Sequence, residues 1–361
     1  MKTYTIPMVP GPTSVPLPVR EAYLTDYGSA DQEPEYAELY AGLQEKLGTI
    51  LGTRNQMAIM TGEGMVALWG ALKSCIVPGD RVLAVATGVF GYGMADMARG
   101  LGAEVETVGF AYDTVADPAV VEEAIRRFRP KMVTAVHCET PSGTLNPVAA
   151  IGDLVRAYDV PLYYVDVVAS AGGAPVETDA WNIDLCLAGS QKCLSAPPNV
   201  AIVAVSDRAW AAAEAVNYEG YDALLPWRTA LDQRWFPYTP SWHDAAALDV
   251  ACSLLLEEGL DASFHRHAEA AARCRSGLAA LGVRLFPTSE AACSPTVTAA
   301  LVPEAIGWPV WNERLRRRGL VVGGSLGPLA GKVFRLGHMG SQAEAGLVDR
   351  ALVAIREALA G

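Results

Sequence analysis

The seven cysteines, at positions 75, 138, 186, 193, 252, 274 and 293, show no Cys-x-x-Cys spacing, and the five histidines show no pair at metal-ligand spacing. That scatter argues against a disulfide framework and a structural zinc site, and it suits a reducing compartment. Positive charge is scarce: 28 Lys and Arg stand against 40 Asp and Glu, for a net charge of -12. Nucleic acid is therefore not an expected partner, because phosphate binding needs basic surface. The one basic run, Arg314, Arg316, Arg317 and Arg318, falls in a helix-like stretch and reads as a solvated face. No apolar run reaches the length of a membrane span, so no membrane partner is expected. The first 16 residues, MKTYTIPMVPGPTSVP, carry one Lys and then prolines, without the apolar core of a signal peptide. Internal repeats and low-complexity segments are also lacking. These absences point to a soluble, cytoplasmic protein.

What is present is a large apolar core. At 361 residues, 51% of them hydrophobic, the chain exceeds the usual single-core size, so two domains are expected. Short apolar runs at 56–60, 81–86, 104–108, 132–136, 162–165, 185–188 and 200–205 alternate with helical patterns at 65–74, 94–99, 120–128 and 150–158. Such alternation predicts an α/β fold with a mostly parallel mixed sheet flanked by helices. The runs YYVDVV and AIVAV are apolar throughout, as strands buried on both faces should be. After Ser241 a long helical stretch, 243–281, breaks near Gly259. Shorter strands (297–302, 320–322, 333–336) and a helix over 342–359 follow. The expected division is an N-terminal arm (1–16), a large cofactor-binding domain (17–258) and a small C-terminal α+β domain (259–361).

Two residues then carry the chemistry. Asp166 ends the apolar strand of Tyr163-Tyr164-Val165, where an acid is costly unless a partner meets it. Twenty-six residues on, Lys192 follows another short strand and a small-residue turn. Ligands of open α/β sheets gather at the carboxyl ends of strands. A carboxylate that keeps a pyridine nitrogen protonated, beside an amine that forms an imine, suits a vitamin B6 aldehyde.

Three motifs, ETPSGTLNP (139–147), VDVVAS (165–170) and GSQKCLSAPP (189–198), resemble those of the class V aminotransferases of fold type I. That group includes alanine–glyoxylate, serine–pyruvate and pyridoxamine–pyruvate transaminases. The resemblance runs from Val9-Pro10-Gly11-Pro12-Thr13 to Arg335-Leu336-Gly337-His338-Met339-Gly340. It implies a transaminase with pyridoxal 5'-phosphate, moving an amino group from a small donor to pyruvate or glyoxylate by a ping-pong mechanism. By the same resemblance Lys192 is the Schiff-base lysine, with Gln191 beside it, and Asp166 pairs with the pyridine nitrogen. Phe90 stacks on the ring, Thr140 bonds its hydroxyl, and Arg335, with Pro12 nearby, holds the substrate carboxylate. Tyr238 and Thr239 match positions that reach into a partner subunit's cofactor site, which implies a homodimer or higher homo-oligomer.

The loop Thr61-Gly62-Glu63-Gly64-Met65 enters a helix where the cofactor phosphate is expected. Many relatives carry a small hydroxyl residue in place of Glu63. Three readings of this acid compete: it caps the helix, a partner cation neutralises it, or the ligand is unphosphorylated pyridoxal or pyridoxamine used as a substrate. The last describes pyridoxamine–pyruvate transaminase, which the chain resembles in its glutamate but not at Leu326, where that enzyme carries a second arginine. A B6-dependent lyase or desulfurase is the rival enzyme, with Cys293 as its candidate sulfur acceptor. A non-catalytic B6-binding protein is the rival from another class; it would be expected to have lost the lysine or gained a DNA-binding module.

Overall fold

The computed structural model describes residues 3–361. In chain order the first half comprises β1 (Ile6–Met8), α1 (Leu17–Glu21), α2 (Pro34–Ile50), β2 (Gln56–Thr61), α3 (Gly64–Cys75), β3 (Arg81–Ala86), α4 (Val89–Gly100), β4 (Glu104–Gly109), α5 (Pro118–Phe128) and β5 (Met132–Val136). A hairpin of β6 (Cys138–Glu139) and β7 (Thr144–Leu145) leads through α6 (Val148–Ala157) to β8 (Leu162–Asp166), β9 (Leu185–Gly189), β10 (Val200–Val205), α7 (Asp207–Val216) and α8 (Ala230–Gln233). The remainder holds α9 (Trp242–Glu258), α10 (Leu260–Ala280), β11 (Val297–Leu301), α11 (Trp308–Arg317), β12 (Leu320–Gly324), β13 (Val333–Gly337) and α12 (Ala345–Ala360).

Seven strands form the main sheet in the order β2-β10-β9-β8-β5-β3-β4. β10 runs antiparallel to both neighbours, whereas the β4-β3-β5-β8-β9 stretch is parallel. β5, β8, β9 and β10 are buried along their whole length, as their mostly apolar sequences MVTAV, LYYVD, LCLAG and VAIVAV require between two helical layers. The architecture is that of the α/β sheet expected from the alternation of runs.

A second sheet, β1-β12-β13-β11, has its own apolar core around Trp311, Phe334, Leu336 and Val348. Its edge strand β1 comes from the N-terminal segment and pairs in parallel with β12. The N-terminal 16 residues, expected as an arm, thus supply a strand 312 or more residues away from its partner. The helical stretch after Ser241 breaks at Gly259, whose φ of +88° favours glycine, dividing it into α9 and α10. Among the described residues no helix is long and apolar enough to cross a membrane.

Candidate active site

The carboxyl ends of β3, β5, β8 and β9 open on one edge of the main sheet. β8 terminates in Asp166, and β9 continues through Ser190 and Gln191 to Lys192. Local bonds hold that exit in place. Val200 N–H donates to Ser190 Oγ at 3.2 Å, and the Thr13 amide and hydroxyl donate to the carbonyls of Gln191 (3.0 Å) and Lys192 (2.9 Å). Gly11 lies flat on the lysine stem: a Cβ there would come within 2.4 Å of Lys192 Cδ, and φ is +88°.

A cavity of 130 Å³ joins these strand ends, and eight of the expected site residues line it: Glu63, Gly64, Met65, Phe90, Thr140, Asp166, Gln191 and Lys192. Leu68, Cys138, Val168, Ala169 and Leu187 complete its wall. A wider cleft of 920 Å³, near Tyr218, Tyr221 and Trp235, contains none of them. The smaller cavity is the candidate site, because burial and charge together perturb its titratable groups.

Burial pushes the Lys192 amine down to about 8, with the Arg335 charge adding to the fall. Asp166 is pushed up to about 6 by burial, against the pull of its bond from Val168 N–H (2.8 Å) and of the Lys192 charge, while Glu63 pushes it further up. The two groups are thereby drawn to within a few units of neutrality from opposite ends. Cys138 and Cys193, held up at about 11 and 12 by burial, stay thiols at neutral pH and supply no nucleophile.

Arg335, on β13, donates through Nε (2.9 Å) and Nη2 (2.5 Å) to the Gly324 carbonyl and through Nη1 (3.3 Å) to the Thr140 carbonyl. Among the described residues no carboxylate pairs with it, and burial alone lowers it to about 10. A buried guanidinium satisfied only by carbonyls keeps its charge available for an anionic ligand.

Glu63 is the N-cap of α3, and its carboxylate accepts Met65 N–H at 3.1 Å. The capping position is thus the one it takes, and the acid also complements the helix dipole. Tyr238, Thr239 and Pro12 do not reach the cavity. The Tyr238 hydroxyl accepts Thr61 N–H (3.0 Å), and Thr239 donates to Asp31 (2.7 Å). Both line a separate open cleft of 830 Å³ that shares Met65 with the cavity. Pro12 is exposed beside Gly11. Cys293 lies outside the cavity, its thiol bonded to the Ser289 carbonyl at 3.4 Å.

Two neighbours of the site were not anticipated. The Pro10 carbonyl accepts the Lys192 Nζ proton, and Glu139, fully buried, receives two amide protons from the first turn of α4. A carbonyl leaves no trace in a sequence pattern. Glu139 had a signal, an acid in an otherwise apolar and hydroxyl-bearing segment, but nothing in its flanks names its partners.

The aminotransferase class-V family model matches residues 22–322. An uncharacterized aminotransferase of Methanocaldococcus jannaschii is 38% identical over 340 residues, spanning 92% of this chain and 87% of its own. The pyridoxamine–pyruvate transaminase of Mesorhizobium japonicum is 34% identical over 335 residues, spanning 91% and 85%. The crystal structure of the ureidoglycine–glyoxylate aminotransferase of Bacillus subtilis superposes with a TM-score of 0.95 at 31% identity, covering 100% of this chain and 94% of that one. The chain belongs to the class V aminotransferases, enzymes that work with pyridoxal 5'-phosphate.

Proposed function

We infer that the protein transfers an amino group from a small amino acid to pyruvate or glyoxylate in two half-reactions, with Lys192 as its catalytic amine. One observation carries the reading: a buried lysine lowered to about 8 and a buried aspartate raised to about 6 line the same cavity at two parallel strand ends. The acceptors are those in the names of the relatives from Mesorhizobium and Bacillus.

The residues present fit a pyridoxal ring. Gln191 Oε1 is buried without a hydrogen-bond partner among the described residues, and the Asp166 carboxylate accepts a backbone N–H and no side-chain donor. Phe90 and Val168 supply flat and apolar walls, and Thr140 a hydroxyl. When bound, the ring supplies an aldehyde to carry the amino group and an electron sink for the charge left on the substrate. The chain's own residues do the rest. Lys192 Nζ moves the proton from the substrate α-carbon, for which a value near the working pH is suited. Asp166 keeps the ring nitrogen protonated by its negative charge. Arg335 grips the substrate carboxylate and sets the angle of the α-carbon.

A second reading rests on Glu63. Its carboxylate already takes a donor at the α3 N-terminus, where a phosphate would otherwise bind, and like charges there repel. Unphosphorylated pyridoxamine as the amino donor, with pyruvate as acceptor, fits that arrangement. Tyr238 and Thr239, which lie outside the cavity of their own chain, support a homodimer in which they complete the partner's site. The seven unpaired cysteines support a cytoplasmic setting.

The test is the visible spectrum of the purified protein. A band that survives desalting with pyridoxal 5'-phosphate and bleaches with alanine establishes the first reading. A colourless protein that makes alanine from pyridoxamine and pyruvate establishes the second. Neither response refutes both.

A further inference from the structure

Glu139 is completely buried at the end of the main sheet, and among the described residues no cation faces it. Its charge is met by the start of α4 instead: Gly91 N–H donates to Oε1 at 2.7 Å and Phe90 N–H to Oε2 at 3.2 Å. The backbone gives way to admit it. A Cβ on Gly88 would stand 2.7 Å from the Glu139 carboxyl carbon and from Oε2, so a side chain at 88 and this carboxylate exclude one another.

The same residue organises the opposite wall. Its carbonyl accepts Gly143 N–H at 2.8 Å, closing the turn that presents Thr140, and the Thr140 carbonyl accepts the Arg335 guanidinium. A neutral side chain such as Ser or Asn caps a helix without burying charge. An acid placed here, pushed up to about 7 by burial, therefore costs stability and calls for a role in the site.

We propose that Glu139 is a positioning residue, whose carboxylate draws the first turn of α4 onto the Thr140 turn and so fixes the gap in which Phe90 meets the cofactor ring. The proposal rests on the reading of Phe90 and Thr140 as ring contacts. In the ionised state both oxygens accept, and Phe90 is held from its own backbone amide. An amide in place of the acid turns one acceptor into a donor facing an N–H, so Glu139→Gln releases one of the two bonds with little change in volume. Gly88→Ala attacks the same contact from the other side while leaving the acid in place.

The experiment compares wild type, Glu139→Gln and Gly88→Ala by visible circular dichroism and by titration with pyridoxal 5'-phosphate, buffered above the Glu139 value of about 7. Both variants should bind the cofactor about tenfold more weakly, the loss of one charge-assisted bond. At saturation both should show a changed dichroic band, while the cofactor-free proteins melt cooperatively. Variants whose affinity and dichroism match wild type overturn the proposal, as does a loss of dichroism that merely follows loss of cooperative melting. A wild type that binds pyridoxal 5'-phosphate without any induced band in the visible overturns the site reading as well, which separates the two failures.

Discussion

The Lys192 ammonium donates a 2.6 Å hydrogen bond to the carbonyl of Pro10. Pro10 follows β1, the edge strand of the second sheet, so one bond ties the cavity lysine at the end of the main sheet to the second sheet. Gly11 makes the approach close enough. Gly11→Ala adds a Cβ within 2.4 Å of the lysine stem at a positive φ, so it should displace the amine and cost about 1–3 kcal/mol in stability. Capture of pyridoxal should slow at least tenfold, by the sensitivity of reaction rate to small misplacements. Stopped-flow absorbance on addition of pyridoxal measures the rate, and thermal melting the stability.

The lowered Lys192 value sets a pH dependence. The neutral amine is the form that attacks an aldehyde, so the rate of pyridoxal capture should rise with pH to a midpoint of about 8, well below that of a free lysine. A profile still rising steeply beyond pH 10 would place the amine in water. The stability effect has the same direction. A lysine whose folded value is depressed contributes stability that is present above its unfolded value and lost as pH falls through about 8.

Asp166 has the opposite sign. Its folded value, raised to about 6, means that stability is greatest while the group is protonated and is lost as pH rises through that value. In the cofactor-free protein Asp166→Asn should therefore raise the melting temperature at pH 8 and lose that advantage as pH falls through about 6 to the ordinary value of 3.8, while transamination falls by orders of magnitude. Calorimetry at the two pH values, beside an assay with alanine and pyruvate, checks both halves.

Arg335→Lys keeps the charge and loses the fork held by the Gly324 and Thr140 carbonyls. The expected result is a rise in KM for both amino donor and keto acid of about 10–100-fold, the loss of a bidentate carboxylate contact. Steady-state kinetics with alanine and glyoxylate separates this from a pure fall in kcat.

Glu63→Ser retains a good N-cap and removes the carboxylate from the α3 N-terminus. Affinity for pyridoxal 5'-phosphate over pyridoxal should increase about tenfold or more as the like-charge repulsion goes. Equilibrium titration with the two aldehydes measures the ratio; an unchanged ratio would mean that Glu63 does not face the phosphate end.

Strand periodicity made most of the fold legible. The main-sheet strands match the expected runs to within a residue at each end, because runs of four to six residues bounded by turn residues have strand length, and the half-exposed β4 alternates Glu, Val, Glu, Thr and Val. β1 is too short, at three residues, to show a period, whereas α2 carries one in Tyr36, Tyr40, Leu43, Leu47 and Ile50 that the expected elements omit. Lys192 and Asp166 were legible as charges at apolar strand ends. Glu139 was not, since its partners are the amides of residues 48 and 49 positions earlier, and neither was the Pro10 contact, 182 positions away. Backbone donors and acceptors are the same at every residue, so only the folded chain shows which ones a side chain meets.

The central claim is that the amine in the cavity, and no other, carries the cofactor. Borohydride reduction of the protein with pyridoxal 5'-phosphate or pyridoxal, followed by peptide mass mapping, locates the added pyridoxyl group. It should fall on Lys192 and be absent after prior incubation with excess alanine, which draws the cofactor off as its amine. Label on any of the other lysines instead, or label that alanine does not prevent, would contradict the account.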